Sequence, residues 1–236
     1  MQDLKNKVAL ITGGSKGIGY GVAEALLKQG VKVAITSRSQ KSADDAAEKL
    51  GGDILALEAD VKNLESQQKA VQLILEKWGK LDILVANAGV GHFSSIEDMD
   101  AEIWNDTIDT NLTGVFYSIK SALAEIKKAK GYIFTISSLA GTNFFENGSA
   151  YNASKFGLTG FTQSIMLDLR KHDIKVSTIM PGSVSTHFNE HEPDKNTDAW
   201  KIQPEDIGQM IVDLLKMHPR TLPSKIEVRP TKTSNS

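Results

Sequence analysis

Tyr151 and Lys155 stand four residues apart in a stretch patterned as a helix, so both side chains leave one face. That pairing points to proton transfer. A phenol is a poor acid or base near neutrality because its ordinary pKa is about 10. A neighbouring ammonium favours the phenolate and draws that value toward the working range. Thirteen positions earlier, Ser138 follows an apolar run, where its hydroxyl can hold a substrate oxygen. Tyr-x-x-x-Lys alone describes an exposed helix pair equally well, so the reading depends on its surroundings.

A second chemical feature is Thr12-Gly13-Gly14-Ser15-Lys16-Gly17-Ile18-Gly19, between the first apolar run and a helical stretch. Glycines at 13, 17 and 19 let the chain turn sharply and approach a pyrophosphate closely. The helix N-terminus then offers free N–H groups and the positive end of its dipole. The spacing Gly-x-x-x-Gly-x-Gly departs from the plain Gly-x-Gly-x-x-Gly fingerprint, and an ordinary glycine-rich turn would read the same. Its place at the first strand–helix junction favours nucleotide binding. Where an acid would read the ribose 2′-hydroxyl of NAD, the second strand ends Ile35-Thr36-Ser37-Arg38. Ser37 and Arg38 suit a 2′-phosphate, Arg through its planar fork, and Lys16 adds a second cation. NADP(H) is therefore the expected cofactor, against the alternative that Arg38 is a solvated loop residue.

The elements that must position these groups alternate along the chain. Apolar runs at residues 8–11, 31–35, 54–57, 81–86, 132–136, 174–180 and 226–228 read as strands. Residues 17–29, 42–50, 64–78, 101–129, 149–171 and 204–217 read as helices. Gly30, Gly79 and Gly131 stand at helix C-terminal positions, and Pro204 with Asp206 marks a helix start. Near-continuous apolar strands separated by helices predict an α/β fold. The expectation is one doubly wound domain over 1–236, a seven-stranded parallel sheet with helices on both faces. Residues 183–203 fit neither pattern, and such a long irregular stretch suits a substrate lid. The tail at 231–236 is expected to be disordered.

Composition removes other classes. The 236 residues carry 27 basic and 29 acidic side chains, a net charge of −2, and no cysteine. That balance leaves no electrostatic footprint for nucleic acid, and disulfides, thiolate nucleophiles and zinc–sulfur sites are excluded. No apolar run approaches the roughly 18 residues of a membrane span, and a cytoplasmic location is expected.

Taken together, Thr12-Gly-x-x-x-Gly-x-Gly19, Asn87-Ala88-Gly89, Ser138, Tyr151-x-x-x-Lys155 and Pro181-Gly182 resemble the short-chain dehydrogenases/reductases in order and spacing. Asp60 after the third strand and Asn111 in Asn-Leu-Thr-Gly match as well. The resemblance covers about residues 5–228 and is strongest to NADP-preferring, 3-oxoacyl-(acyl-carrier-protein) reductase-like members. It implies a Rossmann-type domain in which Tyr151 is the general acid in carbonyl reduction and the base in reverse. Lys155 would lower the tyrosine pKa and bond the nicotinamide ribose, and Ser138 would orient the substrate oxygen. Asn111 would hold a water that completes a proton relay. Gly13, Ser15, Lys16, Gly17, Ile18, Gly19, Ser37 and Arg38 would hold the phosphates. Asp60 and Val61 would meet adenine, and Asn87, Ala88, Gly89, Pro181, Gly182, Val184 and Thr186 would line the nicotinamide side. The family's glycine-rich turn after the last strand is missing here, where Glu227-Val-Arg-Pro230 runs straight into a polar tail.

The expected activity is hydride transfer between NADP(H) and a small carbonyl or alcohol substrate. The competing reading is an NADP(H)-binding regulatory or scaffold protein without turnover, and the complete Ser138, Tyr151, Lys155, Asn111 set argues against it. Phe93, Phe144, Phe145, Phe188 and Trp200 are candidate apolar walls, and His92 faces either the cleft or solvent. His187 and His191 have the spacing of a helical metal pair, with Glu190, Glu192 and Asp194 nearby, but zinc needs a third ligand in a defined geometry, so polar residues of a flexible lid without a metal are expected. Apolar positions on helices 101–129 and 149–171 suit a homodimer or homotetramer.

Overall fold

Val8-Ala9-Leu10-Ile11 has no polar position, so a strand built from it must be covered on both faces. The computed structural model, which describes residues 3–194 and 196–233, covers it in that way. The strands are β1 (Val8–Ile11), β2 (Lys32–Ser37), β3 (Ile54–Glu58), β4 (Ile83–Ala86), β5 (Tyr132–Ile136), β6 (Lys175–Pro181) and β7 (Lys225–Val228). They form one seven-stranded sheet in the order β3-β2-β1-β4-β5-β6-β7. All neighbours run parallel. The helices are α1 (Gly17–Leu27), α2 (Gln40–Leu50), α3 (Leu64–Trp78), α4 (Ala101–Ile108), α5 (Gly114–Ala129), α6 (Ser149–Leu169) and α7 (Pro204–Lys216).

Alternate strand residues feed two cores. Ile11, Ile35, Val85 and Phe134 pack with Leu26, Ile207 and Ile211 on the face covered by α1 and α7. Leu10, Ala34, Leu84 and Ile133 pack with Ile74, Ile119 and Leu158 on the face covered by α3, α5 and α6. The chain leaves β1 for β2 on one side and returns to β4 on the other. The crevice at the carboxyl ends of β1 and β4 is therefore the place where such sheets hold ligands.

Two expectations need correction. The helix expected over 101–129 is broken by a π-helical turn, Asp109–Thr113. Inside it the buried Asn111 side chain accepts from Val90 N at 2.8 Å and donates to Val90 O at 2.9 Å. The amide thus bonds a strand-end loop, and one extra residue in the turn aims it there. Nor does Gly131 close α5 in a left-handed conformation; Lys130 does, with φ 48°. Gly131 is needed for a different reason, because a Cβ there would run into the Asp82 carbonyl.

Residues 183–203 contain more order than expected. Val184 bridges Ile202, and a single 3-10 turn spans Phe188–Glu190. The chain after β7 folds back so that Arg229, Pro230, Lys232 and Thr233 line the same cleft as the glycine loop. The part of the expected disordered tail at 234–236 lies outside the described residues. Among the described residues no helix is long and apolar enough to cross a membrane.

Candidate active site

The end of β1 is tied to the end of β4 by side chains on both. Thr12 Oγ1 accepts from the backbone N–H groups of Asn87 at 3.0 Å and Ala88 at 3.1 Å. Asn87 Nδ2 donates back to the carbonyls of Thr12 at 2.9 Å and Gly13 at 3.1 Å. Gly13 has φ +65°, and a Cβ on it would come 2.9 Å from Ala88 Cα. A Cβ on Gly19 would lie 2.5 Å from the Gly13 carbonyl and 2.6 Å from Asn87 Nδ2. These glycines are therefore required by close backbone approach as well as by turn geometry.

The first turn of α1 has no side-chain cap, which leaves its N–H groups facing the cleft as anion donors. Ser15 Oγ donates to Ser37 Oγ at 3.4 Å, which sets the glycine loop against the end of β2. Lys16 and Arg38 line this part of the cleft, and neither forms a salt bridge with a described residue. Asp60 is fixed beside them, its Oδ1 accepting from Lys62 N at 2.9 Å. The arrangement has room, donors and spare positive charge for a phosphate-bearing ligand.

The residues expected to transfer a proton converge at the other end of the cleft. Ser138 caps a short 3-10 turn, Leu139–Gly141, its Oγ accepting from Ala140 N at 3.1 Å, and its hydroxyl lies near enough to the Tyr151 phenol to draw the phenol pKa down. Tyr151 and Lys155 occupy the first turns of α6, and the Lys155 ammonium lies 5.6 Å from the centre of the tyrosine ring. Both side chains are buried. Lys155 Nζ donates to the Ile136 carbonyl at 3.0 Å. Asn111 sits behind them, its Nδ2 donating to Ser154 Oγ at 3.1 Å, while Ser154 Oγ donates to the Tyr151 carbonyl at 2.8 Å.

Burial sets the protonation states. It pushes the Tyr151 phenol up to about 12, more than the Ser138 hydroxyl draws it down. It pushes the Lys155 ammonium down to about 8. The expected lowering of the tyrosine by its lysine is thus absent. The reason is geometric: the ammonium lies over the ring and is anchored on a backbone carbonyl, not on the phenol oxygen. Tyr151 keeps its proton at neutral pH.

One cleft of about 1210 Å³ is lined by Gly13, Ser15, Lys16, Gly17, Ile18, Ser37, Arg38, Asp60, Val61, Asn87, Ala88, Gly89, Ser138, Tyr151, Lys155, Pro181, Gly182, Val184 and Thr186. Gly19 and Asn111 stand behind its wall. Phe93, Phe144, Phe145, Phe188 and Trp200 line it too, as does His92, whose Nε2 contacts Asp106 Oδ2 at 3.1 Å. The His187–His191 spacing is not helical, because Asn189 between them is left-handed at φ 52°. His191 instead contacts Asp198 Oδ2 at 2.6 Å, and Asp198 also pairs with Lys201 at 2.5 Å and accepts from Ser185 Oγ at 2.7 Å. These partners hold the Asp198 carboxyl well below the usual carboxylate range. Among the described residues no group of three or more His, Cys, Asp or Glu side chains is placed to hold a metal ion.

The short chain dehydrogenase family profile matches residues 7–197. The chain belongs to this family. Its short-chain dehydrogenase relatives include the 3-oxoacyl-[acyl-carrier-protein] reductase FabG of Vibrio cholerae, 34% identical over 198 residues, which cover 84% of this chain and 81% of that protein. An alcohol dehydrogenase from the archaeon Thermococcus sibiricus, solved with 5-hydroxy-NADP, superposes with a TM-score of 0.89 at 27% identity, covering 97% of this chain and 98% of its own. A 3-ketoacyl-(acyl-carrier-protein) reductase from Brucella melitensis, solved with NADH, also gives 0.89 at 27% identity, with the same coverage of 97% and 98%.

Sequence reasoning passed over several residues of this short-chain dehydrogenase site. Ser154 links Asn111 to the backbone of Tyr151, and Asp198 organises the segment over the cleft. Ser154 lies inside the Tyr-x-x-x-Lys motif and could have been suspected there. Asp198 gave no such signal, because its partners Ser185, His191 and Lys201 are scattered along an aperiodic stretch.

Proposed function

We propose that this short-chain dehydrogenase is an NADP(H)-dependent carbonyl reductase, operating in reverse as an alcohol dehydrogenase. The observation that carries the reading is the Tyr151 phenol, with Ser138 beside it and backed by the Lys155 ammonium, at one end of a cleft whose other end is a glycine cradle. The residues present fit a dinucleotide. Side chains at Gly13 and Gly19 would collide with Ala88, the Gly13 carbonyl and Asn87 and so distort the cradle, and the uncapped start of α1 supplies donors. Ser37, Arg38 and Lys16 would hold a 2′-phosphate, Asp60 and Val61 the adenine, and Asn87, Ala88, Gly89, Pro181, Gly182, Val184 and Thr186 the nicotinamide side.

When bound, the nicotinamide supplies or accepts the hydride. Ser138 holds the carbonyl oxygen, and Tyr151 delivers the proton to it. Lys155 stabilises the phenolate that remains, and Asn111 supports the relay that reprotonates it. Residues 183–203 form a lid on a single domain. The preference for NADP(H) rests on two cations with no acid at the end of β2, and the complex of the Thermococcus sibiricus relative with 5-hydroxy-NADP supports it. The Brucella melitensis relative was solved with NADH, so the preference belongs to these residues and not to the fold.

The test is oxidation of NADPH against a panel of ketones and aldehydes. Turnover is expected, with kcat/KM for NADPH above that for NADH. Arg38→Ala is expected to raise the KM for NADPH by about tenfold, the scale of one charge-assisted hydrogen bond, while leaving NADH nearly unaffected. Tight NADPH binding with no turnover on any substrate would replace this reading with that of a cofactor-binding regulator.

A further inference from the structure

We infer that the substrate half of the cleft is an aromatic slot that selects carbonyl compounds with the carbonyl attached directly to an aromatic ring. The inference rests on the reductase reading of this cleft and names its substrate class.

Phe93, Phe145 and Phe188 come from three separate segments and gather on Tyr151. Their ring centres lie 5.5, 6.3 and 5.6 Å from that of the tyrosine, at interplanar angles of 86°, 58° and 58°. Phe93 and Phe145 also meet edge to face, at 5.2 Å and 89°. Two of the rings have seats made for them in the backbone. Phe188 rests directly over Gly91, where a Cβ would collide with the ring, and a Cβ on Gly148 would lie 2.6 Å from Phe145 Cζ. The loops that carry Phe93 and Phe145 are joined by the Ser94–Gly148 bridge, with Ser94 N donating to Asn147 O at 2.9 Å.

The collar is held in place yet incompletely covered. Phe93 and Phe145 keep 41% and 42% of their surface exposed while lining the cleft. Among the described residues the only carboxylate lining the cleft is Asp60, at its far end. Histidine, asparagine and lysine side chains line other parts of the cleft, but around Tyr151 the wall is the three phenylalanine rings, so an apolar ring is the suitable occupant there. Rings set edge to face favour a further aromatic ring over a saturated one of similar size, because the quadrupoles add to burial. An aryl ketone also keeps ring and carbonyl coplanar, so gripping the ring aims the oxygen. A linear acyl chain would have to freeze several rotors to do the same.

The experiment compares acetophenone, methyl cyclohexyl ketone and a linear 3-oxoacyl thioester of N-acetylcysteamine, with NADPH and with NADH. For the intact chain, kcat/KM for acetophenone is expected to exceed that for its saturated counterpart by about tenfold, the scale of one or two aromatic contacts. Phe93→Leu and Phe188→Leu should each reduce that ratio toward unity. Turnover in which acetophenone is not favoured, or a ratio unmoved by both variants, overturns the inference and leaves the reductase reading intact. If neither these compounds nor any ketone or aldehyde of the wider panel is turned over with either cofactor, the reductase reading falls. Saturation-transfer NMR then reads the slot alone: stronger binding of acetophenone than of its saturated counterpart, weakened in Phe93→Leu, upholds it, and equal or absent binding overturns it.

Discussion

The glycine loop after β1 and the segment at residues 183–203 border the same cleft but are held by different means. In the loop, main chain meets main chain. Gly13 lies against Ala88, Gly19 against the Gly13 carbonyl, and Asn87 spans both ends. The 183–203 segment has little ladder of its own. It is organised by the Asp198 carboxylate, which gathers Ser185, His191 and Lys201, and by the Phe188 ring on Gly91. Backbone contact leaves no freedom of side-chain choice, whereas a carboxylate hub or a ring can be exchanged without altering the sheet. One region is therefore constrained by the close approach of its own backbone, and the other, proposed as the substrate lid, leaves its side chains free to vary.

Gly19→Ala attacks the first region at its tightest point. A methyl group 2.5 Å from the Gly13 carbonyl must displace the loop, and NADPH affinity is expected to fall by about 100-fold, the scale of an ångström-sized misplacement. Calorimetric titration checks it. Affinity within a few-fold of the unmodified protein would show that the loop is more pliant than its contacts imply.

Lys155→Met separates stability from chemistry. The lysine pKa falls from 10.5 to about 8 on burial, so its protonated form costs stability at every pH below about 8. That cost fades as pH rises from about 8 toward the unfolded value. The methionine variant should be more stable than the parent by about 3 kcal/mol at pH 7, less whatever the unpaired Ile136 carbonyl takes back, and the gain should shrink at pH 10. Denaturant midpoints at the two pH values decide it. A variant less stable at pH 7 would contradict the assigned burial cost.

Asp198→Asn tests the second region with the smallest expected effect. With the charge removed, Lys201 and His191 lose their shared partner. KM for the carbonyl substrate should rise about three- to tenfold, and proteolysis within 183–203 should quicken. NADPH affinity should be largely unchanged. A loss of cofactor affinity equal to the rise in KM would mean that the two regions are not separately specified.

The same contrast explains what could be read from the sequence. Residues 8–11, 64–78 and 132–136 are predicted with the bounds that the structure shows, because apolar periodicity is a local property. The glycine loop, Ser138, Tyr151 and Lys155 are brought to one cleft, as expected, because close backbone approach and the roles proposed for these side chains allow few residue types. The π turn at Asp109–Thr113 is not legible, since its cause, Asn111 bonding Val90, is a contact across 21 positions. The lowered tyrosine pKa is expected from spacing alone and fails here, because spacing places Lys155 on the correct face but does not say which oxygen anchors it. The aromatic collar depends on three loops meeting, which no periodicity encodes.

The central claim, that Tyr151 is the proton donor in a nicotinamide-dependent carbonyl reduction, is tested most directly by Tyr151→Phe. Loss of the hydroxyl should lower kcat by about 1,000-fold, within the range for a general acid, while NADPH still binds with nearly unchanged affinity. Turnover by the phenylalanine variant within tenfold of the parent would contradict it.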